Sequence, residues 1–357
     1  AQGKVPALPG LSAGRVTIVN GRYEPTWSDF KTAAGVELGD LFAFAAEQKD
    51  HRLGDVPGQD DIAMSLNTAF MTGGVALRVA KGADVEKPVE IAHFFSDNSA
   101  AAMYPRSVVL VEPGARLTLI ESFSGPAGVD YQVNSALELV IGEGAHVDHV
   151  TIGHDGDAAL RISTLGLKVG ANVIYNGFTY TAGGAVVRNQ IFAHFNGKET
   201  QASIGGATLL KGRQHVDNTL VINHAAGGCT SRERFRTVLD GESHGIFQGK
   251  IIVEPHAQKT DAKMASHALL LSDSAEADNK PELEIFADDV QCGHGATAGA
   301  LDRTLKFYLM SRGIPENEAE ALLIQAFVGE AIEEIAHEGI REALLNAAAK
   351  WLDAREQ

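Results

Sequence analysis

From about Gly73 onward, short apolar runs alternate with polar positions and break at glycine turns. Ser107-Val108-Val109-Leu110-Val111 precedes Gly114-Ala115-Arg116-Leu117, and Leu117-Thr118-Leu119-Ile120 follows it. A period of two marks a strand with one buried face. The same Gly-Ala-x-apolar core stands at Gly82-Ala83-Asp84-Val85, Gly144-Ala145-His146-Val147 and Gly170-Ala171-Asn172-Val173, with the four glycines 32, 30 and 26 residues apart. Asn196-Gly197 and Asp240-Gly241 keep the rhythm as later turns. A coil of short strands cannot bury its apolar face alone, so such a repeat predicts stacked coils, a β-solenoid. A sandwich or barrel is the rival, since its turns also recur every ~8–12 residues. The glycine-alanine recurrence favours the solenoid.

The flanks read differently. Val16-Thr17-Ile18-Val19-Asn20-Gly21-Arg22-Tyr23 predicts a strand, an Asn-Gly turn and a returning strand. Leu38–Gln48 and Ile62–Met71 have helical spacing. Past Leu301 the pattern turns helical, with Leu305, Tyr308 and Leu309 on one stripe and Gly313 and Pro315 as punctuation. Asn317, three residues before Glu320, predicts an N-cap with its reciprocal acid. Leu322, Leu323, Ala326, Phe327, Ala331 and Ile335 continue at helical spacing, and Leu344, Leu345, Ala348 and Leu352 follow after Gly339. Three regions result: a mixed α/β segment at 1–72, a β-helix core at 73–296 and a helical region at 297–357.

Composition narrows the function. A net charge of −16 argues against nonspecific nucleic-acid binding, which needs Lys and Arg. Residues 313–357 carry ten acids against three bases, an acidic surface suited to a basic partner. Two cysteines among 357 residues predict a reducing, cytoplasmic setting. No export signal and no apolar run of ~18 residues is visible, so membrane insertion is not expected.

The candidate chemistry lies in Ala287–Thr297, ADDVQCGHGAT. Cys292 and His294 are two apart, so in an extended segment they share one side. A thiol and an imidazole suit iron, copper or zinc, but supply only half of a zinc site. Other motifs fail on context. Gly241-Glu242-Ser243-His244-Gly245 spells a nucleophile elbow, yet strand rather than helix is expected after it. His146 and His149 fall on opposite strand faces and predict surface or structural histidines. Gly205–Gly212 lacks the Gly-Lys-[Ser/Thr] end of a phosphate loop. No catalytic engine is recognisable, and a non-enzyme is expected. A polysaccharide-active β-helix enzyme is disfavoured by the missing export signal and an aromatic content of 6%. A homodimeric structural protein without a metal role is the other alternative.

The runs Gly184–Asn189, Lys259-Thr260-Asp261-Ala262-Lys263-Met264, Lys280–Cys292 and His294-Gly295-Ala296-Thr297 resemble the SufB/SufD family of iron–sulfur cluster assembly proteins. His294 through Gly299, Phe307-Tyr308-Leu309 and Ser311-Arg312-Gly313-Ile314 look like its SufD branch. The resemblance spans roughly residues 15 to 345. It implies a right-handed parallel β-helix between helical regions, with residues 1–72 as the remainder of a longer N-terminal helical segment. It implies a scaffold subunit in a SufBC2D-type complex. That subunit pairs with a SufB-like paralogue through the β-helix and binds a SufC-like ABC ATPase through the C-terminal helices. It further implies that His294, with Cys292 as a weaker candidate, lies at the SufB interface and helps hold a nascent iron–sulfur cluster. The cluster would be transient and shared with SufB, and nothing would be tightly bound in the isolated chain. Glycines flank His294 where the SufB branch carries acids.

Overall fold

The computed structural model describes residues 14–30, 35–47 and 53–355. Two long sheets face each other in a β-solenoid of about 8 turns. Each full coil gives one strand to each sheet. In the first sheet His146–His154 pairs in parallel with Arg116–Ser124 on one side and Ile174–Thr181 on the other. In the second, Leu160–Val169 lies between Gln132–Ile141 and Val186–Phe195. Sequence neighbours therefore lie in opposite sheets, and spatial neighbours are one coil apart. Gly14–Val19 and Arg22–Tyr23 form the predicted hairpin, and Gly14–Val19 joins the first sheet beside Val89–Phe94.

One turn position repeats through the stack. Gly82, Gly114, Gly144, Asn172, Glu199, Gly228 and Lys259 all have positive φ, 27 to 32 residues apart. Each donates its backbone N–H to the carbonyl one residue before the equivalent position of the next coil: Gly114 to Glu143, Gly144 to Ala171, Asn172 to Lys198, Glu199 to Gly227. This corrects the sequence register. Gly170 is the counterpart of Gly142, since each donates to the end of the strand one coil back, and Asn172 holds the left-handed position. Asparagine tolerates that conformation. At Glu199 and Lys259 stacking imposes it on residues that do not favour it, so the sequence signature is lost while the geometry persists.

Alternate residues point inward and form one continuous apolar core, among them Leu117, Leu119, Val147, Leu167, Ile204, Phe235, Phe247 and Met264. The outward face of the first sheet is apolar too: Ile120, Val150, Ile152, Phe178, Leu209 and Val238 are buried there. Their cover is helical. α1 (Leu41–Glu47) and α2 (Ile62–Phe70) precede the coils, and α3 (Arg303–Ser311), α4 (Glu316–Ile332) and α5 (Glu338–Arg355) follow them. Ile324, Val328, Ile332, Leu344 and Trp351 of α4 and α5 share the outer core with the sheet. None of these helices is long and apolar enough to cross a membrane.

Two boundaries differ from expectation. Val36–Asp40 is a strand antiparallel to Val75–Val79, not the start of a helix. Asp40 then accepts from the Phe42 and Ala43 amides and starts α1 at Leu41, while Gln48 lies outside the described residues. Asn317 is no cap: Pro315 stands at the boundary and α4 starts at Glu316. Lys306, 2.8 Å from Glu320, takes the acid that the cap would have used.

Candidate functional site at the open end of the solenoid

Among the described residues, no strand pairs beyond the last coil. Glu276–Ile285 ends the second sheet and Gln291–Ala300 ends the first. Both present one edge of backbone N–H and C=O groups without a strand to pair. In Gln291–Ala300, Cys292 stands opposite Ala262 and His294 opposite Met264, both buried. Cys292 and His294 therefore extend two inward columns, Ala202–Ser231–Ala262–Cys292 and Ile204–Glu233–Met264–His294. The i, i+2 spacing puts them on one face, and that face is the solenoid interior at its mouth.

Their surroundings differ. Cys292 is half-buried and packs against the core. Burial pushes its thiol pKa up, a backbone hydrogen bond at Ala262 opposes this, and the Asp261 and Glu233 carboxylates add to the rise. The thiolate is the metal ligand, so Cys292 is a reluctant donor without a cation beside it. His294 is exposed, and its ring has no hydrogen bond among the described residues. Its lone pair is available to a ligand. The neighbouring Thr297, on the outer face, instead meets His267 at 2.7 Å.

Glu233, not singled out from the sequence, lies two coils beneath His294 in the same column. It is fully buried, and neither carboxylate oxygen has a hydrogen-bond donor in good geometry. Arg232, Arg234 and Arg236 around it suggest an ordinary charged face. Parity tells otherwise: Ser231, Glu233 and Phe235 share the inward side. Burial raises its pKa to about 7, with Ser231 and Arg232 opposing only in part. A folded pKa above the unfolded value means stability is complete below the ordinary carboxylate range and is lost as pH rises through about 7. Glu233→Gln should therefore stabilise the fold by roughly 3 kcal/mol at pH 8 and add nothing near pH 4. Denaturant titrations at both pH values check this; equal gains at both would refute it.

The remaining motifs are structural. Ser243 is buried and leads directly into the strand His244–Val253, so no elbow exists. Gly206 lies in the strand Gln201–Leu210, where an added Cβ would come within 2.6 Å of the Phe235 ring. That glycine-rich run serves core packing. His146 is partly exposed beside Asp148. His149 is buried inside, 3.2 Å from both Glu121 and the Tyr175 hydroxyl. Burial alone would raise the Glu121 pKa, but His149 and His93 hold it down to about 2.

Residues 94–327 match the family described as SUF system FeS cluster assembly, SufBD core domain. The chain is 29% identical over 341 residues to the iron–sulfur cluster assembly protein SufD of Escherichia coli, covering 94% of this chain and 78% of that protein. A SufBD family protein of Synechocystis is 29% identical over 343 residues, 92% of this chain and 75% of its own length. SufD of Bacillus subtilis is 27% identical over 324 residues, 87% and 73% of the two chains. With the stacked coils, the mouth at Cys292 and His294 and a family match over well more than half its length, this chain belongs to the SufBD core family of the SUF iron–sulfur cluster assembly system.

Proposed function

We propose that the chain is a non-catalytic scaffold subunit of a SufBC2D-type complex, working in a reducing cytoplasm. Its open solenoid end pairs with a SufB-like paralogue, and its C-terminal helices receive a SufC-like ATPase. His294 and, secondarily, Cys292 face the joint and help hold a nascent iron–sulfur cluster, to which the paralogue adds the missing ligands. Imidazole and thiolate are fit donors for iron. The observation that carries the reading is the uncovered last coil, whose inward columns end in these two side chains. A β-helix that stacks end to end with a second one would complete both sheets.

The ATPase contact is supported by α3. No residue of this helix is buried, and Leu305, Phe307, Tyr308 and Met310 are exposed, with Leu322 of α4 beside them in kind. A groove of about 470 Å³ lies next to it, lined by Leu271, Ser272, Ala300, Leu301, Arg303 and Lys306. The acids expected to dock a basic partner are partly spent within the chain. Glu334 pairs with Arg234 at 2.6 Å, Glu330 pairs with Arg236, and Glu320 with Lys306. Apolar contact, more than charge, is therefore the binding feature of this face.

The pairing is tested at the rim of the last coil. Phe286 is 60% exposed there and Ala296 lies in an inward column of the final strand. Phe286→Asp combined with Ala296→Lys should cut co-purification of the SufB-like paralogue to about a tenth or less, since buried unpaired charge at an interface costs several kcal/mol. ATPase capture and melting temperature should hold. Undiminished pairing would move the interface elsewhere. In the isolated chain the same edges can take a second copy, and the variant should then run as a monomer.

A further inference from the structure

The outer face of the second sheet carries a second constellation near the same end. His215, His244 and Glu276 open three successive strands and stand directly opposite one another in register. Parallel strands are ~4.8 Å apart, so this rung stacks three donor groups in a column. Asp278 lies two residues past Glu276 and so on the same face. The outward side of that strand is the exposed one. His244 Nε2 is 2.8 Å from Asp278 Oδ2. The donor atoms of His244, Glu276 and Asp278 all lie within 4.8 Å of one another. The His215 ring stands edge-on to that of His244, with centroids 4.8 Å apart. Lys280, the next outward residue of the last strand, is turned to Glu282 at 3.4 Å.

We propose that His244, Glu276 and Asp278 bind a divalent first-row metal ion, with His215 placed to supply a fourth donor. One or two imidazoles with two carboxylates form a borderline set suited to ferrous iron, cobalt or zinc. Calcium and magnesium favour all-oxygen shells, and monovalent copper favours sulfur. Three features favour a site over a chance surface pair. The donors converge from two strands. Those strands are rigid, held by unbroken ladders. The constellation also combines imidazole with carboxylate. The site is separate from the mouth: Cys292 and His294 belong to the other sheet and to inward columns.

Cobalt(II) is the probe, added anaerobically to the full chain and followed by its visible ligand-field absorption. One equivalent should bind with roughly micromolar affinity. His244→Ala should weaken it at least ~tenfold, as should Glu276→Gln with Asp278→Asn. His215→Ala should weaken it less. Far-UV circular dichroism and melting temperature should change little, because Glu276 and Asp278 are exposed and His244 and His215 only partly buried on the outer face. The Cys292→Ala, His294→Ala double variant should bind cobalt as the wild type does, which separates this site from the cluster role. Failure to bind below about 1 mM, or binding unaffected by His244→Ala, overturns the proposal. Loss of binding in the Cys292, His294 double variant alone would assign the cobalt to the mouth and equally overturn it.

Discussion

His294→Ala should reduce iron–sulfur cluster formation by the assembled complex at least ~tenfold while leaving the fold and the complex intact, as expected for loss of a direct metal ligand. The exposed imidazole has no hydrogen bond to lose among the described residues. Its removal thus strands no buried partner, and a surface change of this kind usually stays within about 0.5 kcal/mol. A structural histidine would behave oppositely. His149, buried against Glu121 and Tyr175, should cost stability on the same substitution. Cys292→Ala should lower cluster formation less, because burial keeps its thiol protonated. Cluster growth is read from visible charge-transfer absorption after anaerobic reconstitution, beside melting and co-purification of the paralogue and the ATPase. Wild-type cluster yield from the His294→Ala complex would remove the ligand role.

Leu305→Glu with Phe307→Glu should abolish ATPase capture, weakening it roughly 100-fold or more if these side chains are the apolar anchors of the contact. Phe307 is 72% exposed and Leu305 51%, so the variants should fold normally. Point changes are the right test here. Deleting residues 315–357 would remove α4 and α5, whose buried side chains, Ile324, Val328, Ile332, Leu344 and Trp351 among them, form about half of the outer core. Ile120, Val150, Phe178 and Leu209 would then face water, and lost binding would report only a damaged fold. Reversing Glu334 to lysine has a similar defect, since it would set a cation against Arg234. Capture is measured by pull-down and by surface-immobilised titration. Affinity within about threefold of wild type would exclude α3 as the docking face.

Much of this was legible in the chain. Period-two alternation and recurrent Gly-Ala turns determine strands with an inward face, and such coils are stable only when stacked. Cys-x-His in an extended run determines that Cys292 and His294 share a side. The hairpin at Asn20-Gly21 and the helical stripes past Leu301 are equally local, because turn chemistry and periodicity act over a few residues. What stacking decides was not legible. Glu199 and Lys259 take left-handed turns because the coils above and below hold their backbone, against local preference. Glu233 is buried because its strand's inward parity lines up with Ile204 and Met264, a contact between residues about thirty apart. Glu330 and Glu334 are neutralised by arginines about a hundred positions earlier. His215, His244 and Glu276 meet only because three strands begin on one rung. Sequence determines which face each side chain takes within its own strand. Register between coils determines which side chains meet, and only the stacked structure holds that information.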